Sequence, residues 1–518
     1  MMLFSTSLWT IVKPEVFTAI ADLEPLLHTE GEIVKSLGMY LELEEKRLES
    51  VRWLKKEYEK LYNSAIGDVD SFLSNPVNAY LLVKRLTTDW QTTGRLIEGT
   101  MSKAVIENIT LQALKFPDDE DLKGAASALM RLQDTYLLDT TKLANGDISG
   151  TKPSTELSAG DCFELGRQAY EQDDYSHTVL WMQEALDRLE QEKIKTMSKH
   201  AILEHMARAT YLLGNFKHAR KLTQDIIISE PNYIPAYENL RFYDEQVSLQ
   251  EESQGIVTSE TTVYIEQPDT SFRDYERLCR GERIRSLAEE SKLFCKYTTG
   301  GSFYLLIQPV KVEILSLDPW IVMYHDILSD EDANFFRDLA QPMLKRAKVQ
   351  NPRSGLLEPA SFRVSKCTWL SDDIHPRISY ASRMLQEITG LSVTTAEDLH
   401  IINYGIGGHY EPHYDFKMPG DVDGSAFEAN GNRLATWIYY LSDVDAGGAT
   451  VFPDIGVQMI PKKGSAGFWY NLRRSGDGDL QTKHAGCPVL AGSKWIANKW
   501  IHEKDQEYRR PCSLSPFE

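Results

Sequence analysis

The chain has 518 residues, 42% apolar and 25% charged, with a formal net charge of −20 at pH 7. That length asks for roughly two to four domains, and that composition for packed cores rather than disorder. So acidic a balance excludes a binder that neutralises nucleic-acid phosphates, and no apolar run approaches the length that crosses a bilayer.

The first residues, "MMLFSTSLWTIV", have the apolar character of a signal-peptide core. They lack a basic flank and a small-residue cleavage site, so they read as a poor or atypical one. From about 21 to 65 the pattern is helical. Val34, Leu37, Leu41, Leu48, Val51, Tyr58 and Tyr62 form an a/d seam interrupted by Glu44 and Lys55. Such a seam needs a partner, either its own domain or another helix in a coiled coil. "NIT" at Asn108 to Thr110 is an N-glycosylation sequon. Helical sequence continues to about 140 and "ANGDISGTKPS" reads as a linker, so residues 1–147 form a helical N-terminal region.

Residues 158–242 contain an internal echo. "ELGRQAYEQDDYSHTVLWMQEAL" and "RATYLLGNFKHARKLTQDIIISEP" share an aromatic, a turn and small or apolar residues at helical steps. In the second copy Gly214, Phe216, Ala219 and Pro231 fall where a tetratricopeptide unit wants a turn, an aromatic, a small contact and a terminator. Two such units, in a domain over 148–245, offer a concave surface suited to an extended peptide. Tyr170, Tyr175, Tyr211, Tyr233 and Tyr237 lie here, and any one of them is as well explained by helix packing.

Residues 246–317 begin with a polar, acidic linker and carry Cys279 and Cys295 around a short basic segment. Cys487 and Cys512 bracket the C-terminal region, and two disulfides in these places would each contribute about 3 kcal/mol in the chain-entropy model. Spacing alone leaves six reduced thiols equally open. From 318 to 518 short aromatic and β-branched runs alternate with glycine-rich turns, preceded by helices near 329–347 and 374–389. That texture predicts an all-β sandwich or barrel, with a jelly roll the natural candidate.

"GGHYEPHYDF" carries two competing pairs, His409 with Glu411 and His413 with Asp415. Alternate strand residues share a face, so either pair offers an imidazole and a carboxylate to one ion. His484 is the best third ligand by composition. Two histidines and one carboxylate leave positions open, as in non-haem Fe(II) oxygenases. Lys494, Ile496, Asn498, Trp500 and His502 share one face of a later strand, and the ammonium suits a small dicarboxylic acid. A zinc hydrolase with Glu411 as general base stays open on these residues.

Longer stretches are more specific. "EDLHIINYGIGGHYEPHYDF", "NRLATWIYYLSDVDAGGATVFPDIG", "PKKGSAGFWYNL" and "KHAGCPVLAGSKWIANKWIHEKDQEYRRPC" resemble the catalytic domain of the collagen prolyl 4-hydroxylase α subunits. "NPVNAYLLVKRLTTDW" and "SAGDCFELGRQAYEQDDY" resemble that family's N-terminal and peptide-binding regions. The resemblance implies a multidomain α+β chain: a helical coiled-coil region, a tetratricopeptide-like domain and a double-stranded β-helix (jelly roll). It implies Fe(II) on His413, Asp415 and His484, and 2-oxoglutarate anchored by Lys494. His502 would help to seat the cofactor's C1 carboxylate, with Tyr404, Thr436 and Trp500 in its pocket. His409 departs from the family's usual glutamine and is expected at the surface rather than behind the metal.

The resemblance further implies disulfides Cys279–Cys295 and Cys487–Cys512, with Cys162 and Cys367 free, and glycosylation at Asn108. Proline-rich collagen-like substrates would lie on Tyr170, Tyr175, Tyr211 and Tyr237. His205 and Arg208 stand where vertebrate members tend to carry tyrosine, which bears on the breadth of peptide binding. The implied reaction hydroxylates C4 of peptidyl proline, gives succinate and CO2, and draws on L-ascorbate to rescue oxidised iron. The implied assembly is an α2β2 tetramer with protein disulfide isomerase in the endoplasmic reticulum lumen, consistent with an ending "SLSPFE" that lacks a retention signal. A dioxygenase for another proline-rich or lysyl substrate, or a non-catalytic binder of proline-rich chains, are the alternatives.

Overall fold

The computed structural model describes residues 18–67, 119–148, 156–193, 195–253, 270–350, 357–358, 362–405, 407–418 and 425–515. Asn108 and the opening apolar residues lie outside this set. Contacts divide the chain into two units, 22–118 and the remainder. The described part of the first comes from helix α1 (Ile20–Ile66), whose first two residues belong to the second. Its predicted seam is open: Val34, Leu37, Leu41, Leu48 and Tyr62 are all exposed. Among the described residues no helix is long and apolar enough to cross a membrane.

In the second unit, helix α2 (Asp119–Tyr136) precedes five antiparallel-stacked helices: α3 (Ala159–Tyr170), α4 (Tyr175–Gln191), α5 (Lys199–Leu212), α6 (Phe216–Ser229) and α7 (Ile234–Ser253). Local chemistry sets their starts. Ser158 and Asp161 form a capping box on α3, and Asp174 and Asn215 cap α4 and α6 through side-chain oxygens. The echo seen in the sequence is structural. Tyr170, Asp173, Asp174 and Tyr175 recur in register as Tyr211, Gly214, Asn215 and Phe216. Asp173 and Gly214 both turn the chain at positive φ, 61° and 84°. The helices meet over Trp181, Met182, Ile202, Leu203 and Ala219, all buried. Gly166 lets Met182 approach, since a Cβ there would lie 2.9 Å from its Cε.

Helix α8 (Thr270–Cys279) leads into the β-rich region, whose two main sheets use thirteen strands. These are β1 (Cys295–Thr298), β2 (Val310–Leu317), β3 (Trp320–His325), β4 (Lys345–Arg346), β5 (Lys366–Leu370), β6 (Leu399–Tyr404), β7 (Tyr410–His413), β8 (Arg433–Tyr440), β9 (Thr450–Phe452), β10 (Val457–Met459), β11 (Ala466–Tyr470), β12 (His484–Gly486) and β13 (Lys494–His502). The large sheet runs β1-β2-β3-β11-β8-β13-β6-β5-β4 and the small one β10-β9-β12-β7.

Strand alternation separates two cores. Ile321, Met323, Ile402, Tyr404, Ile438, Tyr440 and Ile496 face the small sheet's Phe452, Val457 and Met459. Their neighbours Val322, Tyr324, Ile401, Trp437 and Tyr439 face helices α9 (Asp330–Ala340) and α10 (Pro376–Thr389), through Phe336, Ile378 and Leu385. The central strands β11, β8, β13 and β6 are therefore buried on both faces, while β1 and β4 at the edges are exposed.

The predicted disulfides are corrected. The bond joins Cys279 to Cys487, while Cys295 and Cys512 are free and exposed. Cys279 ends α8, which packs by Tyr275 and Leu278 onto Val451 and Ala485 of the small sheet, beside Cys487. Cys295 instead opens β1 at the far edge of the large sheet, so nearness in sequence did not become nearness in space. Cys162 and Cys367 are also free.

Candidate metal and oxoacid site

Antiparallel pairing of β12 with β7 sets His484 directly opposite His413. Asp415, two residues past His413, comes back to the same face as β7 ends. The three side chains each offer a ligand atom within 4.8 Å of the others. Nδ1 of His413 bonds the Glu411 carbonyl at 2.7 Å and Nδ1 of His484 the Thr482 carbonyl at 3.0 Å. Each carbonyl accepts a hydrogen bond from the ring's Nδ1–H, so Nε2 carries the lone pair. Both Nε2 atoms face Asp415, at 3.7 Å from Oδ1 and 3.5 Å from Oδ2.

Rings fix the imidazoles. Tyr410 stacks on His413 at 3.6 Å and Trp469 meets His484 edge-on at 4.6 Å. Thr436 Oγ1 donates to Asp415 Oδ2 at 2.7 Å and accepts from Asn471 Nδ2 at 2.9 Å. Burial pushes the His413 imidazole well below its ordinary value, which keeps it neutral. Burial would raise Asp415, but the neighbouring His484, His413 and Arg433 outweigh it and hold the carboxyl ionised. Two imidazoles with Nε2 turned inward and a carboxylate on one side of an open cavity fit a divalent iron with vacant positions. The first pair, His409 and Glu411, is not part of this cluster.

The cavity beside the triad is about 1110 Å³. Lys494 projects into it from the start of β13, opposite Tyr404 in register and with Nζ 5.0 Å from that ring's centroid. It is 1% exposed and has no carboxylate partner among the described residues. Burial pulls its ammonium down to about 7. A buried cation without a counter-ion is an anion site, and a dicarboxylate with one end near the triad fits it.

Tyr404 and Trp500 line the cavity, whereas Thr436 and His502 do not. Thr436 acts through Asp415. The expected role of His502 is corrected: its Nδ1 bonds the Gly431 carbonyl at 2.7 Å and its Nε2 the Glu397 carboxylate at 3.1 Å, leaving no ring nitrogen for a cofactor. Glu397 also receives Arg433 at 2.5 Å, and that guanidinium lies 4.0 Å from the Trp500 ring centroid, inside the cavity wall. His502 thus positions Arg433. Sequence reasoning missed Arg433 and Glu397, although a charged residue opening the apolar run "RLATWIYY" was a signal. It also missed His400, buried, stacked on Trp369 and tilted against Trp500.

His409 is corrected too. It is 3% exposed, and burial lowers its imidazole to about 4. Its loop is held by α2, where Arg131 donates to the Gly407 carbonyl at 2.9 Å and Tyr136 donates to the Pro488 carbonyl at 2.5 Å. One helix therefore grips the chain just before β7 and just after β12, the two ligand-bearing strands. The same helix meets the repeat domain through Asp134 and His177 at 3.2 Å.

The predicted peptide-binding tyrosines form separate groups. Tyr170 touches Tyr175 at 5.7 Å and His205 at 5.9 Å, and Tyr211 packs with Phe216, Phe242 and Tyr243. Tyr237 is exposed and its hydroxyl donates to the Pro231 carbonyl. Arg208 pairs with Glu204, which also accepts from Tyr233.

Three family models match the chain. They are the prolyl 4-hydroxylase α-subunit N-terminal region over 19–150, the prolyl 4-hydroxylase peptide-substrate-binding domain over 159–249, and the 2OG-Fe(II) oxygenase superfamily over 399–502. Prolyl 4-hydroxylase subunit alpha-1 of Homo sapiens is 42% identical, covering 98% of this chain and 97% of that protein. Prolyl 4-hydroxylase subunit alpha-2 of Gallus gallus is 43% identical, over 99% and 98%. A solved structure, the viral collagen prolyl hydroxylase of Paramecium Bursaria Chlorella virus-1, is 26% identical over 35% of this chain and 94% of that one, with a TM-score of 0.29. With full-length likeness to two curated relatives and a matched model in each of its three regions, this chain belongs to the prolyl 4-hydroxylase α-subunit family.

Proposed function

We propose that the chain is the catalytic subunit of a procollagen-proline 4-dioxygenase, hydroxylating C4 of peptidyl proline in collagen-like X-Pro-Gly sequences. The single observation that carries this is one cavity holding both an ion-binding His413, Asp415 and His484 cluster and the unpaired ammonium of Lys494. Fe(II), 2-oxoglutarate and dioxygen together supply an oxidation that replaces a C–H bond by C–OH, releasing succinate and CO2, with L-ascorbate as the family's reductant. Around them, His413, Asp415 and His484 would hold the iron. Lys494 would pair the oxoacid's distal carboxylate against Tyr404. From the cavity wall Trp500 would shield the reacting centre, with Trp469 and Phe452 packed behind His484.

The two packed sheets with the triad between β7 and β12 support a double-stranded β-helix over 318–518. Residues 148–245 would hold the substrate as a polyproline II segment on Tyr170, Tyr175, Tyr211 and Tyr237, raising its local concentration at the catalytic domain. The exposed seam on α1 supports a coiled coil between two copies of the chain within residues 1–147. Membership in the family supports pairing with protein disulfide isomerase in an α2β2 tetramer and residence in the endoplasmic reticulum lumen, with Asn108 glycosylated there. His413→Ala in the assembled enzyme tests the core of this reading. Hydroxylation of a (Pro-Pro-Gly)-type peptide, followed by mass spectrometry, is expected to vanish while peptide binding persists; continued turnover would overturn the ligand assignment.

A further inference from the structure

We propose that the mouth of the catalytic cavity selects peptides carrying an acidic side chain beside the reactive proline, read by Lys345 and Lys348. The inference deepens the peptidyl-proline reading above and rests on it. The chain as a whole is strongly acidic, yet the cavity walls carry seven lysines and arginines against one acid, Asp415. Asp415 is spoken for by the metal triad. Two of the cations also have assigned places: Arg433 is bound to Glu397, and Lys494 sits at the cavity's depth.

Lys345 and Lys348 are different. Both line the cavity and both are exposed, so they stand at its rim. Neither makes an ion pair or side-chain hydrogen bond among the described residues. Their backbone is not loose: Lys345 pairs with Cys367 across β4 and β5, and Ala347, between the two lysines, is fully buried and bonded to the Ser365 carbonyl at 3.0 Å. Strand β4 is the last strand of the large sheet, so nothing further in that sheet covers it. On the same rim Trp369 is 46% exposed, an apolar plate on which a proline ring packs. An aromatic surface flanked by two exposed lysines on a held backbone, unpaired among the described residues, complements a segment in which proline alternates with glutamate or aspartate.

The test compares peptides of matched length built on Glu-Pro-Gly, Gln-Pro-Gly and Lys-Pro-Gly with the assembled enzyme. Solvent-exposed ion pairs at the rim predict a kcat/KM roughly three- to tenfold higher for the glutamate peptide than for the lysine peptide. Raising salt from about 50 to about 300 mM compresses that ratio toward one. The double variant Lys345→Glu with Lys348→Glu inverts the preference, and Lys345→Gln with Lys348→Gln abolishes it. Equal kcat/KM for all three peptides in the unaltered enzyme overturns the proposal. So does a pair of variants in which only the KM for 2-oxoglutarate moves, because the lysines would then serve the oxoacid. Failure of all proline peptides to turn over would instead strike the underlying reading, and the two failures are distinguishable.

Discussion

Thr436 Oγ1 donates to Asp415 Oδ2 at 2.7 Å from a neighbouring strand of the large sheet, and both residues are buried. The bond aims one carboxylate oxygen and leaves Oδ1 toward His413. Thr436→Val keeps the shape and removes the donor. Loss of such a supporting contact costs about 10- to 100-fold in metal affinity, so Fe(II) affinity, titrated without peptide, is expected to fall by that much. Thr436→Ser is expected to retain most of it. An unchanged affinity in the valine variant would show that Asp415 is oriented by other groups.

How much of this was legible in the sequence depends on how local each relationship is. His413 and Asp415 are two apart, and alternation along a strand put them on one face. The same rule applied to His409 and Glu411, so spacing did not choose between the pairs; the position of His484 across the β12 to β7 ladder did. The Tyr170 and Tyr211 echo was readable because each repeat carries its own cap and turn. Networks closed by distant segments were not readable. Arg433 meets Glu397 across 36 positions and His502 meets it across 105. The Cys279 bond depends on how α8 docks against the small sheet, and no local pattern encodes that docking.

Lys494 gives a pH dependence with a definite sign. Burial lowers its folded value to about 7, far below the ordinary lysine value of 10.5. The empty site therefore holds mostly neutral amine at pH 8, while a bound dicarboxylate restores the ammonium. 2-Oxoglutarate binding at pH 8 should take up close to one proton, and its affinity should fall as pH rises above about 7. Calorimetry in two buffers of different ionisation enthalpy measures the uptake directly. With Lys494→Met, binding is expected to weaken and the proton uptake to disappear. Uptake that survives the substitution would place the titrating group elsewhere.

The covalent link between α8 and the small sheet predicts a specific peptide map. Proteolysis without reduction should yield one cross-linked fragment containing Cys279 and Cys487, three residues beyond His484, with Cys295 and Cys512 alkylated by a thiol reagent. Cys279→Ser is expected to loosen the turn after β12 and lower metal affinity along with thermal stability. A map showing Cys279 joined to Cys295 would reject the arrangement.

The contact between α2 and the repeat domain should weaken in alkali. His177 is 6% exposed and sits between Asp174 at 2.7 Å and Asp134 at 3.2 Å. Burial alone would lower its imidazole, but bonds and charge from the two aspartates dominate and raise it to about 9. A raised folded value means the contact contributes in full below about pH 6.5 and is lost as pH climbs through 9. The shift sets an upper bound of about 3 kcal/mol, nearer 1 once the solvent around the exposed Asp134 is counted. Since α2 also holds Gly407 and Pro488, the loss reaches both ligand-bearing strands. Hydrogen exchange in 119–136 and 407–410 is expected to quicken between pH 7 and 9, after correction for the intrinsic rate, and His177→Gln should remove that pH dependence. A variant that keeps the dependence would place the alkaline transition at another group.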